Sequence, residues 1–217
     1  SYEALSGGEV VLDNNTGLQW ESAHHTTKLT WSDAEATCQG LSLGGYDDWR
    51  LPSLKELFSL ANFKGSVGGE FFIDASSFDL EIPTDEELTG THTFEMMGQT
   101  WSATVRPDDA SSGYYFFNFL DGHIKSSPDS ADFAHFYRCV RGDPGAFDND
   151  LVDQGDETVI DLATTLVWQK AASGRMEWQE ALAYCEELEL AGKDDWRLSD
   201  VKELQSIVDY TRVDPSL

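Results

Sequence analysis

The chain has 217 residues, 40% of them hydrophobic and 12% aromatic, and a formal net charge of -26. That composition describes globular protein, and the length allows one large domain or two small ones. So acidic a chain excludes phosphate backbones and anionic lipid surfaces, which need Lys and Arg, and no apolar run approaches the ~18 residues of a membrane span.

The charge itself reads first as solubility in salty water and second as cation capture at Asp clusters. Ser1-Tyr2-Glu3 does not open a signal peptide, so the expectation is a mature, cytosolic or trimmed N-terminus. Three cysteines, Cys38, Cys139 and Cys185, match no zinc spacing. In an oxidising compartment an odd count implies one pair and one orphan. His24 and His25 are adjacent and point to different faces of any regular element, which makes them a poor chelate.

In chain order, Asp13-Asn-Asn-Thr-Gly-Leu-Gln-Trp20 comes first. Trp31, Ala34, Cys38 and Leu41 then fall at the spacing of one helical face, which predicts an amphipathic helix with this stripe inward and Thr30 or Ser32 as its cap. Gly44-Gly45 marks a turn into Asp47-Asp-Trp-Arg-Leu-Pro52. Ser53 and Glu56 form a capping box for a second helix whose apolar face is Leu54, Leu57, Phe58 and Ala61. Pro52 stands before the cap, where it removes no helical hydrogen bond. Arg50 reads as an ion-pairing or carbonyl-binding residue.

Residues 64–99 form a long irregular stretch with a short β-like piece at Phe71-Phe72-Ile73. Such long stretches carry function or are poorly ordered. A strand follows at Thr100-Trp-Ser-Ala-Thr104, then an aromatic strand within Gly113 to Gly122 that ends in an Asp-Gly turn. Residues 134–142 read as a last strand carrying Cys139. Asp143-Pro144-Gly145 closes a first domain, 1–144, and Asp150 to Asp156 is a polar linker.

The first half of this pattern then recurs. Asp161-Leu-Ala-Thr-Thr-Leu-Val-Trp168, Trp178-Gln-Glu-Ala-Leu-Ala-Tyr-Cys185 and Ala191-Gly-Lys-Asp-Asp-Trp-Arg-Leu-Ser-Asp-Val-Lys-Glu-Leu204 repeat the first copy with identical Trp-to-Cys and Cys-to-Trp spacings. The repeat predicts an inward stripe of Trp178, Ala181, Cys185 and Leu188, a second capping box at Asp200 and Glu203, and a structural role for Arg197. Residues 145–217 hold no counterpart of the Trp-Ser-Ala-Thr strand, the aromatic strand or the Arg-Cys-Val-Arg strand. They are therefore expected not to complete a core alone. They dock on residues 1–144, pair with another chain, or belong to a natural chain that continues past Leu217, and the last is the favoured expectation.

Asp-Trp-Arg-Leu-Pro-Ser-x-Lys-Glu-Leu, the helix before it, Trp-Ser-Ala-Thr and Tyr-Arg-Cys-Val-Arg, in that order, resemble the DUF1566 family, which includes the C-terminal domain of a Legionella collagen-like adhesin. The resemblance covers nearly all of residues 8–142 and again 152–217. It implies a secreted, periplasmic or cell-surface bacterial module for adhesion or ligand binding, and a possible homo-oligomer, since the adhesin domain is associated with trimers. It also implies sulfated glycosaminoglycan ligands, against which the acidic charge argues. A weaker similarity extends to C-type-lectin-like folds and the formylglycine-generating enzymes, but the lectin calcium motifs and the close cysteine pair of those enzymes are missing. The expected fold is α+β: two helices on a small, mostly antiparallel sheet with long irregular loops, C-type-lectin-like or similar, one full repeat plus half of a second.

The leading function is a binding module for a glycan or a surface protein, with Tyr114, Tyr115, Asp108 and Asp109 as candidate contacts. A structural spacer in a multidomain surface protein is the alternative. An enzyme is the third reading and is set aside. No Gly-x-Ser-x-Gly, His-Glu-x-x-His or phosphate loop occurs, and Glu86-Glu87 and Asp108-Asp109 are sequence neighbours rather than facing pairs. No cofactor is expected apart from calcium, for which Asp129 with Asp132 and Asp153 with Asp156 are the candidate ligands. Cys38 is expected to pair with Cys139, helix to last strand, leaving Cys185 as a thiol.

Overall fold

A computed structural model describes residues 1–23, 25, 27–67, 69–80, 98–107 and 113–212. The chain gathers into two compact units, Ser1–Ala146 with Asp209–Leu217, and Phe147–Val208. Both are α+β, built from short helices and small antiparallel sheets.

In the first unit, β1 (Tyr2–Leu5), β2 (Val10–Asp13) and β3 (Gln19–Glu21) form a meander to which β7 (Val140–Arg141) adds along β3. The β2–β3 turn is set by Asp13, whose carboxylate accepts from Asn15 N–H and Thr16 Oγ1. Next, α1 (Trp31–Gln39) starts at Thr30, whose hydroxyl accepts from Asp33 N–H, so Thr30 rather than Ser32 is the cap. Ala34 and Cys38 are buried as the stripe requires. The capping box of α2 (Leu54–Ser59) is present in full. A second antiparallel sheet, β4 (Gln99–Val105), β5 (Tyr114–Asn118) and β6 (Ile124–Ser127), covers the two helices. Trp101, Phe116, Tyr137 and Cys139 pack against Ala34, Cys38, Trp49 and Leu51 in one buried cluster.

The family motifs are what lock this unit. In Trp101-Ser-Ala-Thr104, the Trp101 indole donates to the Leu29 carbonyl (2.9 Å) and the Ser102 hydroxyl to the Tyr115 carbonyl (2.7 Å). Ala103 N–H reaches the Pro52 carbonyl, and Thr104 Oγ1 accepts from Leu54 N–H, holding the start of α2. Arg50 forks onto the fully buried Glu56 carboxylate at 2.8 and 2.6 Å. Arg138 is buried and donates to three carbonyls, of Glu21, Ser22 and Asp79. Burial lowers its pKa to about 10, which leaves it a cation at neutral pH. Arg141 pairs with Asp48 and lies 3.6 Å from the Tyr46 ring centroid. Cys38 and Cys139 form a disulfide joining α1 to the segment before β7.

Two expected strands change. Residues 134–142 do not form one strand, because the segment crosses between sheets. Phe136 pairs with β4 through Gln99 and Trp101, whereas Val140 pairs with β3 and with Arg50. Phe71-Phe72-Ile73 is irregular. Phe72 donates to Phe119 and accepts from Asn62, two partners that belong to no common ladder.

The second unit carries β8 (Leu151–Asp153), β9 (Thr158–Asp161), β10 (Val167–Gln169), α3 (Trp178–Glu186) and α4 (Val201–Ser206). These follow the order of β1, β2, β3, α1 and α2, and several local contacts correspond. Asp161 fixes its turn through Ala163 N–H and Thr164 Oγ1, as Asp13 does. Trp196 donates to the Leu190 carbonyl as Trp49 does to that of Leu43. Arg197 pairs with Glu203, and the Asp200–Glu203 capping box is present. Its sheet order is β10-β9-β8. The predicted inward stripe is not fully buried: Trp178 is 67% exposed, and Ala181, Cys185 and Leu188 are half-buried.

Candidate functional site

The aromatic strand begins at Gly113, at φ +93°, where a Cβ would fall 1.7 Å from the Ser127 carbonyl oxygen. Only glycine allows that approach, and it fixes Tyr114 at the end of the β5–β6 ladder opposite Ser127. Tyr114 stacks flat on Trp31, ring centroids 3.7 Å apart and planes 11° from parallel. Trp31 is anchored there because its indole N–H donates to the Ser102 carbonyl at 2.9 Å. Both rings are half-buried, resting on the core with part of their surface in solvent.

Carboxylates rim this pair. Asp129 accepts from Ser32 N–H at 3.3 Å, at the start of α1. Burial, then the charges of Asp129 and Glu35, raise the pKa of the Tyr114 phenol. The phenol is therefore a hydrogen-bond donor at any physiological pH. A flat aromatic face beside acceptors and a donor can stack the C–H face of a sugar ring or a basic side chain and bond its polar edge.

Tyr115 lies on the opposite side of the strand from Tyr114 and meets Tyr210 edge-on at 5.3 Å. Asp108 and Asp109 lie outside the described residues. Asp132 sits in a single helical turn, Ala131–Phe133, three residues beyond Asp129. Asp153 is held by Lys170 and by Gly155 N–H, and Asp156 accepts from Thr158 through its amide and hydroxyl. Among the described residues no group of three or more His, Cys, Asp or Glu is placed to hold a metal ion.

Sequence reasoning missed two groupings. Trp31 reads as core from its helical spacing, yet its place in the first turn puts its ring at the surface against Tyr114. His25 stacks on Tyr137 (4.3 Å, 9°) while its Nε2 lies 2.9 Å from Glu21. Its only local signal is the i, i+4 spacing of Glu21 and His25.

The fold and this half-exposed aromatic pair define a small α+β module with a scaffold locked by buried Arg and Trp contacts. The sequence pattern of the Lcl C-terminal domain family, the DUF1566 type, matches residues 9–141 and again residues 157–217. The chain belongs to that family, whose character is that of a surface or binding module. No curated protein and no solved structure matches it. No helix among the described residues is long and apolar enough to cross a membrane. The disulfide accords with an extracytoplasmic location.

Proposed function

We propose that the chain is a non-catalytic binding module of a secreted, periplasmic or cell-surface bacterial protein, recognising a glycan or a protein ligand on the Trp31–Tyr114 face. In this reading residues 1–144 are a complete domain and 145–217 the first half of a second. The observation that carries it is the stacked, half-exposed aromatic pair rimmed by Asp129 and Glu35. The family motifs support the reading indirectly, since their Arg, Trp and Glu side chains are engaged in holding the fold. The rim carboxylates favour an uncharged sugar or a basic protein side chain over a sulfated chain.

The test is a screen of the whole chain against neutral and sulfated glycans and extracellular proteins, in calcium and in chelator. A ligand should be found whose binding falls at least about tenfold in Trp31→Ala and Tyr114→Ala, as loss of a stacking contact requires. No binding to any probe would favour the spacer reading, which the matching elements of the two units support.

Calcium is the cation proposed for the Asp129–Asp132 and Asp153–Asp156 loops. It should raise the melting temperature saturably, beyond what sodium chloride of equal ionic strength achieves. Equal melting in calcium and chelator at matched ionic strength would remove it.

A further inference from the structure

We infer that the Trp31–Tyr114 face receives an arginine side chain of a basic partner protein, its guanidinium lying against the aromatic pair and pairing with Asp129 and Glu35. This rests on the binding-module reading of that face and narrows its ligand to one chemical class.

The rim is negative and has no cation of its own. Glu35 follows Trp31 by one helical turn, and Asp129 reaches the start of the same helix through Ser32 N–H. The charges of both are felt at the Tyr114 phenol. All 14 Lys and Arg of the sequence fall among the described residues, and none forms an ion pair with either carboxylate. The carboxylates of Asp48, Glu56, Asp153 and Glu203 are each matched by an Arg or Lys instead.

An unmatched charge decides between the ligands that an aromatic face can stack. A sugar hydroxyl bonding to the exposed Asp129 replaces water with an equivalent donor, so the charge adds little. A cation gains from both carboxylates and from the ring faces. Arginine fits better than lysine, because its planar guanidinium stacks and forks onto a carboxylate at once. The molecule holds such an assembly elsewhere. Arg141 lies 3.6 Å from the Tyr46 ring centroid while donating to the Asp48 carboxylate at 2.6 and 3.1 Å. The net charge of -26 supplies the long-range attraction that brings a basic protein to the face.

The test titrates the intact chain with the peptide amide Gly-Arg-Gly-Arg-Gly and follows the NMR signals of the Trp31 indole and the Tyr114 ring. Peptides with citrulline or lysine in place of arginine are the controls. The arginine peptide should shift both rings saturably, and both controls should bind at least about threefold more weakly. Because attraction to so acidic a chain could act anywhere, two exposed-charge variants of equal net charge are compared. Glu35→Gln with Asp129→Asn should weaken binding about fivefold or more. Glu3→Gln with Glu9→Gln, on exposed positions of the β1–β2 hairpin, should change it less than about twofold. Equal losses in the two variants would overturn the inference, as bulk attraction alone, and so would equal binding of either control peptide. A neutral glycan that shifts both rings where the arginine peptide does not would also overturn it, while leaving the face as a binding site. Shifts from neither would remove the arginine site, and the wider screen then decides the face itself.

Discussion

Arg50 and Arg197 occupy the same place in the same motif, yet their surroundings give them different weights. Glu56 has no exposed side-chain surface, so removing Arg50 leaves a buried carboxylate without its partner. Glu203 is partly exposed and Arg197 mostly so, and water screens that pair. Arg50→Met should therefore cost about 3–5 kcal/mol, and Arg197→Met under about 1 kcal/mol. Urea denaturation of both variants checks this, and equal losses would contradict it. Asp161 supplies a pH-dependent counterpart. Burial pushes its carboxyl up, but hydrogen bonds from Asp150 N–H, Asn149, Thr164 and Ala163 N–H outweigh that and hold it below 3.8. A depressed folded pKa contributes stability that is present above the unfolded value and lost as pH falls through the folded one. Asp161→Asn should destabilise the second unit by about 1–2 kcal/mol at neutral pH. The gap in melting temperature between parent and variant should hold above pH ~4 and close below it. A gap independent of pH would refute the assignment.

The elements most legible in the sequence are those specified by neighbours in the chain. Ser53 with Glu56 and Asp200 with Glu203 start their helices wherever the rest of the chain goes, and the Trp31-to-Cys38 stripe sets the buried side of α1. Joining Cys38 to Cys139 needed only the inference that a core-facing helix and a closing strand belong to one repeat. What was not legible depends on partners far along the chain. Arg138 finds its three carbonyls on Glu21, Ser22 and Asp79, which no local pattern groups. Residues 134–142 look like one strand but divide between two sheets, because pairing is decided by which edge each residue meets. Trp31 looks like core until the Tyr114 ring is seen to stack on it. The disulfide spans 101 residues, so it restricts the unfolded chain strongly. Cys38→Ser with Cys139→Ser should lower stability by about 4 kcal/mol, read by thermal or urea unfolding. A loss below ~1 kcal/mol would mean that it adds little to the packed core.

Over the whole molecule, one set of local instructions has been written twice and covered once. In Ser1–Ala146, β4, β5 and the Phe136–Val140 segment close over α1 and α2. In Phe147–Val208 corresponding strands and turns, the capping box of the second helix and the Trp196 contact form, while Trp178, Val201 and Leu204 face solvent. Local hydrogen bonding therefore sets the shape of both units, but only the first buries its helix faces beneath a second sheet. Amides of uncovered helices open at little free-energy cost, whereas those beneath a packed sheet need near-global unfolding. Native-state hydrogen exchange on the intact 217-residue chain, resolved to peptides, measures that difference within one molecule. Strong protection is expected in Trp31–Gln39 and Leu54–Ser59, and exchange at least about a hundredfold faster in Trp178–Glu186 and Val201–Ser206, corresponding to ~2.7 kcal/mol. Equal protection of the two helix pairs would contradict it.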